Sequence, residues 1–166
     1  MKRPPFSAAW MASLRIYDAK DPGGKIASVI GGNVEKNIRN PEIQQRWTNT
    51  CAVRMSYILN VSGTPIPRIP GQTVTGGDKH QYFFRVRNLV SFLQRKWGNP
   101  EIVKYPPYGG DALAGRQGVI LFEVSGWADA AGHATLYNGS RCYDHCYFNE
   151  PGVNYRTDRA NFWSLP

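Results

Sequence analysis

Residues 119–126, VILFEVSG, form a short, nearly unbroken apolar run, and residues 132–139, GHATLYNG, alternate. The first pattern is that of a strand buried on both faces. In the second, His133, Thr135 and Tyr137 fall on one side and Ala134 and Leu136 on the other, which is the two-residue period of a strand. Asn138-Gly139 is a hairpin signal, because both residues tolerate the positive φ such turns require. The segment after it, RCYDHCYFNEPG (141–152), starts a return strand or a loop.

Upstream the period lengthens. In YFFRVRNLVSFLQRKWG (82–98), Phe83, Val86, Leu89, Val90 and Leu93 recur at three-and-four spacing, and Gly98 with Pro100 ends the pattern, so a helix is expected. A second helix is expected over CAVRMSYIL, starting at Cys51, with Asn49 or Thr50 as its cap. DPGGK (21–25) and IGGN (30–33) read as turns, and TPIPRIPG (64–71) as a rigid extended loop. GQTVTGGDKHQ (71–81) reads as continued loop, and PEIVKYPPYGG (100–110) as loop with a short extended piece. Helices first and strands later predict an α+β fold, with helices packed on an antiparallel sheet. The 166 residues suit one domain, 1–166, large enough to bury a core without disulfides. No stretch approaches the roughly 20 apolar residues of a membrane helix. The start, MKRPPFSAAWMASLRIY, has a basic head, but its prolines, serines and Arg15 interrupt any apolar core, so it is not read as a signal peptide.

Lys and Arg outnumber Asp and Glu by 20 to 12, a net charge of +8. That balance favours polyanionic partners such as nucleic acid, acidic lipid or an anionic wall polymer, or serves solubility alone. The charges are dispersed, and no basic run has the length of a nucleic-acid patch.

Cys51 sits in the first turn of its helix, where unpaired N–H groups and the positive dipole end stabilise a thiolate. A lone cysteine ahead of an apolar run is equally a small buried hydrophobe. His133 opens the alternating strand behind Gly132, well placed to face a helix end. If residues 133–137 pair with residues 141–147 across the turn, Asp144 can lie beside His133 or a little beyond its end, and would complete a Cys–His–acid arrangement. His80 and His145 are the alternative bases. Cys142 and Cys146 are four apart around Asp144, which in a strand separates them by about 13 Å, beyond disulfide reach. In a tight turn they come within reach; free thiols or half of a metal site are the alternatives, although no second ligand pair follows for zinc. Trp127 is a candidate for the lip of a cleft or for a core aromatic.

NTCAVRMSYILN (49–60), GHATLYNG (132–139) and CYDHCYFNEPG (142–152) together resemble the type VI secretion amidase effectors, the fourth of their families, and the N-terminal RPPF (3–6) fits as well. The resemblance implies a papain-like, NlpC-type fold and a toxin that cuts peptidoglycan stem peptides between D-glutamate and meso-diaminopimelate. Carried over by position, Cys51 is the nucleophile, His133 the general base and Asp144 the orienting acid, with Cys142 and Cys146 an oxidised pair. Helix-start N–H groups, including that of Cys51, would hold the oxyanion. The chemistry calls for no metal or cofactor. The implied partners are the stem peptides, the type VI secretion machinery and a cognate immunity protein, typically a dimer that plugs the active site; nucleic acid is not among them. Delivery without a signal peptide into the periplasm of a target cell accounts for both the plain N-terminus and the bridge. The rival readings are a transglutaminase-type acyltransferase and a non-enzymatic basic nucleic-acid binder.

Overall fold

The computed structural model describes residues 2–127 and 132–166. In chain order they form α1 (Phe6–Ile16), α2 (Pro22–Ile30), α3 (Gly32–Ile38), α4 (Cys51–Ser62), β1 (Thr73–Thr75), β2 (Gln81–Phe83), α5 (Val86–Trp97), β3 (Glu101–Lys104), β4 (Gly118–Ser125), β5 (Gly132–Tyr137) and β6 (Arg156–Ser164). Single 3₁₀ turns occur at Ile43–Gln45 and Asp111–Leu113. The expected α+β architecture is present: one antiparallel sheet in the order β3-β6-β4-β5, a small β1-β2 hairpin, and helices packed against them.

The apolar run at 119–126 is the interior strand β4, hydrogen-bonded to β5 on one side and β6 on the other. Its alternate side chains feed two cores. Val119 and Leu121, with Ala134 and Leu136 of β5, pack under α1, α4 and α5. Ile120, Phe122 and Val124 join Tyr137, Phe148 and Phe162 on the opposite face, which is covered by the loops around residues 111–113 and 142–155. Both faces of β5 are therefore buried, including the side that carries His133 and Thr135.

The helix expected from Cys51 is α4, enclosed nearly all round: Ala52, Val53, Met55, Ile58 and Leu59 are buried, and α1 packs against it, its Ala9 and Ala12 buried in the same core. Ser56 Oγ donates to the Ala52 carbonyl at 2.8 Å and accepts the Phe83 N–H at 2.9 Å, which ties β2 to α4. The chain ends close on each other, since the Phe6 N–H donates to the Pro166 carbonyl at 2.7 Å.

Several local expectations change. DPGGK starts a helix, because the Asp21 carboxylate caps the Gly24 N–H at 3.1 Å and Pro22 takes the first helical position. IGGN is the tight junction between α2 and α3, with Gly31 at φ 66°. The helix expected from residue 82 starts at Val86 instead. Tyr82 and Phe83 belong to β2, whose pairing with Thr73–Thr75 also converts part of the loop expected over 71–81 into a strand. After Asn138-Gly139 the chain makes one bridge, Tyr137 to Cys142, and no regular return strand. The strand that completes the sheet is β6, which sequence patterning did not single out.

Candidate active site

The N-terminus of α4 abuts the free edge of β5. Because β4 pairs only one side of β5, the Gly132 carbonyl and the Ala134 N–H remain on the outer edge, and the Cys51 thiol occupies that edge, 3.9 Å from the Gly132 carbonyl oxygen. Gly132 is required here: a Cβ at this position would meet the Phe122 carbonyl oxygen at 2.4 Å. At the helix start the Asn49 side chain accepts the Cys51 N–H at 3.3 Å, while Thr50 Oγ1 is engaged by Arg54 Nη1 at 3.1 Å. Of the two expected caps, Asn49 therefore serves the backbone and Thr50 serves a side chain.

His133 interacts with the thiol on one side and with Asp144 on the other, its Nε2 lying 2.9 Å from Asp144 Oδ2. That approach lies off the ring N–H axis, so it acts through charge more than as a linear hydrogen bond. Tyr147 meets the imidazole edge-on, with ring centroids 4.7 Å apart. Asp144 Oδ1 accepts the Thr135 hydroxyl and the His145 N–H, each at 2.6 Å. Its Oδ2 also accepts from Arg54 Nη2 at 3.2 Å. The Cys142–Cys146 disulfide, with Cα atoms 5.3 Å apart, closes the tight loop that presents Asp144.

Arg54 is the residue that sequence reasoning passed over. It is only 6 % exposed, donates to Tyr143 Oη at 3.2 Å as well as to Thr50 and Asp144, and lies 5.1 Å over the Tyr17 ring. The available signal was a cation three residues after Cys51 within an otherwise apolar helical segment. Arg54, Asp144, His133 and Cys51 thus form one buried chain of alternating charge, which a low-dielectric interior tolerates because every member is paired.

The proton affinities follow from this pairing. Burial by itself raises a thiol, but the His133 hydrogen bond and charge, the Ala134 N–H and Arg54 together hold Cys51 below its ordinary value. Burial disfavours a charged imidazole, yet Asp144, then Cys51, raise His133 to about 9. Burial would push a carboxyl up, but His133, Thr135 and Arg54 bring Asp144 down to about 2. The arrangement therefore favours the thiolate and the imidazolium over their neutral forms, with an ionised carboxylate behind them.

A cavity of about 380 Å³ opens beside the sulfur, and its lining includes Asn49, Cys51, Phe84, Arg85, Arg87 and Glu123. Trp127 does not line it. It packs on Tyr147 at 4.8 Å and on Tyr155 at 5.9 Å, which is the core-aromatic alternative. His80 and His145 are exposed and lie 3.9 Å from Asp78 and Glu150; His145 gives its backbone N–H to Asp144 and packs its ring on Tyr147 at 4.6 Å.

The family described as "Type VI secretion system (T6SS), amidase effector protein 4" matches residues 47–163. This chain belongs to that family. Solved structures of amidase effectors agree over the full length, including the N-terminal helices that precede the matched segment. The effector Tae4 from Salmonella typhimurium, solved in complex with the immunity protein Tai4 from Enterobacter cloacae, is 37 % identical, with a TM-score of 0.84 over 99 % of this chain and 100 % of that one. Tae4 from Enterobacter cloacae in complex with Tai4 is 38 % identical, with a TM-score of 0.84 over 99 % of each chain. A further structure of the type VI effector Tae4 from Enterobacter cloacae is 37 % identical, with a TM-score of 0.84 over all of both chains. None of the curated proteins compared matches it. The amidase effector therefore has the papain-like, NlpC-type α+β fold expected from its motifs. Among the described residues, no helix is long and apolar enough to cross a membrane.

Proposed function

We propose that residues 1–166 act as one catalytic unit that hydrolyses the γ-D-glutamyl–meso-diaminopimelate bond of peptidoglycan stem peptides, as an antibacterial toxin delivered by type VI secretion into the periplasm of a target cell. The observation that carries this reading is the buried chain Cys51–His133–Asp144, of which Cys51 lines the cavity, in a member of an amidase family. Cys51 is the nucleophile, His133 the general acid and base, and Asp144 the group that orients His133.

The Cys51 thiolate attacks the γ-carbonyl carbon, and the carbonyl electrons move onto oxygen. N–H groups at the start of α4 stabilise that oxyanion. The Cys51 N–H can serve only as its long 3.3 Å bond to Asn49 yields, and the neighbouring Ala52 also lines the cavity. The intermediate collapses, His133 gives its proton to the departing diaminopimelate amine, and a thioester remains. His133, now neutral, takes a proton from water as that water attacks the thioester, which releases the glutamyl carboxylate and restores the thiolate–imidazolium pair. Asp144, braced by Arg54 and Thr135, stabilises the imidazolium at both ends of the cycle. A cognate immunity protein, a dimer that blocks this cleft, is the partner that protects the producing cell; the solved complexes of related effectors with Tai4 support an immunity partner as such. The test is to incubate the protein with purified muropeptides and weigh the products. Cleavage between D-glutamate and diaminopimelate is expected, and cleavage at another bond, or none, refutes the reading.

A further inference from the structure

The cavity beside Cys51 carries two cations that the reaction as described does not use. Arg85 immediately precedes α5 and Arg87 lies in its first turn, and both line the cavity. Both are exposed, and neither has a carboxylate partner among the described residues. Glu123, the acid in the same lining, is engaged elsewhere: Asn161 Nδ2 donates to it at 2.9 Å, and Arg159 lies 3.9 Å away. The first turn of α5 holds no acidic residue, so among the described residues no carboxylate is paired with this wall. Arg85 is also held in place. Its guanidinium lies 4.7 Å over the Phe84 ring, and Phe84 stacks on Trp47 at 5.1 Å. A planar, pre-positioned guanidinium beside a second one, facing a cavity that contains the nucleophile, is a receptor for a substrate carboxylate.

The γ-linkage states which carboxylate that is. When glutamate acylates its neighbour through its side chain, its α-carboxylate stays free, a short carbon stem from the carbonyl that Cys51 attacks. We infer that Arg85 and Arg87 bind this free α-carboxylate, and so select a γ-linked glutamyl donor over an α-linked or amidated one. The inference rests on the cleavage reading above and adds the group that is recognised and the residues that recognise it. Ion pairing in the cleft fixes the position of the acyl group relative to the sulfur, so its loss acts on the rate of acylation as well as on binding.

The experiment compares two muropeptides that differ in one group, a D-glutamate α-carboxylate in one and its amide, D-isoglutamine, in the other. Wild-type protein and the Arg85→Gln/Arg87→Gln variant are assayed on both, with thermal unfolding as the folding control. Since a charge-assisted hydrogen bond contributes roughly a factor of ten, amidation should lower wild-type kcat/KM by about tenfold or more. The double variant should lose about that factor on the carboxylate substrate, change little on the amide, and bring the ratio of the two near one. Arg85→Lys/Arg87→Lys, which keeps the charges without the planar fork, should retain part of the preference. A merely structural role would depress both substrates together and leave their ratio unchanged. That outcome, or a wild-type ratio near one with cleavage at the expected bond, overturns the inference and leaves the cleavage reading standing. Product masses from a different bond, or no product from either peptide, overturn both.

Discussion

Replacing Asp144 by Asn in a Cys51→Ala background removes the charge that keeps His133 protonated, while preserving side-chain shape and eliminating the thiol that also raises His133. His133 is raised from 6.5 to about 9, with Asp144 first among the groups that raise it. At 1.36 kcal/mol per pKa unit, that difference corresponds to about 3 kcal/mol in the native protein, and without the thiol's share to on the order of 2 kcal/mol. The sign follows from linkage. A histidine whose folded pKa lies above its unfolded one contributes stability that is complete below about pH 6.5 and is lost as pH rises through about 9. Urea unfolding followed by tryptophan fluorescence at intervals from pH 5.5 to 9.5 measures this directly. The Cys51→Ala protein should lose about 2 kcal/mol more across the window than the Cys51→Ala/Asp144→Asn protein, all other titrating groups being common to both. Equal pH dependence in the two proteins, or stability that rises towards pH 9 in the first alone, would refute the buried carboxylate–imidazolium pairing.

Four further outcomes follow from the same geometry. The rate of Cys51 alkylation by iodoacetamide, followed against pH, should titrate below the ordinary thiol value of about 8.5, and a raised value counts against the nucleophile assignment. His133→Ala should abolish muropeptide hydrolysis whereas His80→Ala and His145→Ala keep near-normal turnover; loss in either of the latter would return that histidine to the site. Arg54→Met removes one partner of a buried pair, so destabilisation of about 3–5 kcal/mol in urea is expected, and a change below about 0.5 kcal/mol would remove Arg54 from the charge network. Thiol counting on the unfolded, unreduced protein should find Cys51 alone, and three reactive thiols would show that the loop around Asp144 is held by packing and hydrogen bonds instead.

What the sequence determined is what short-range chemistry determines. The nearly unbroken apolar run of β4 reads as an interior strand, and the alternation of GHATLYNG separated its two faces correctly: Ala134 and Leu136 face the helices, and Tyr137 faces the opposite core. Cys51 in a capped first turn and His133 behind a glycine could be recognised because each depends on a few adjacent residues. What failed also has a local cause. Asp21-Pro22-Gly23-Gly24 uses the same residue types to start a helix as to make a turn, and Tyr82 and Phe83 satisfy both a helical stripe and a two-residue strand period until their partner β1 is known. Only the tertiary structure decided the rest. β6 lacks a period that sets it apart and becomes a strand by hydrogen-bonding between β3 and β4, pairings that are remote in sequence. Arg54 looked like an ordinary helical cation. Its role came from packing α4 against the loop at Asp144, 90 residues later, because a buried charge acquires its function from the partners that long-range folding brings to it.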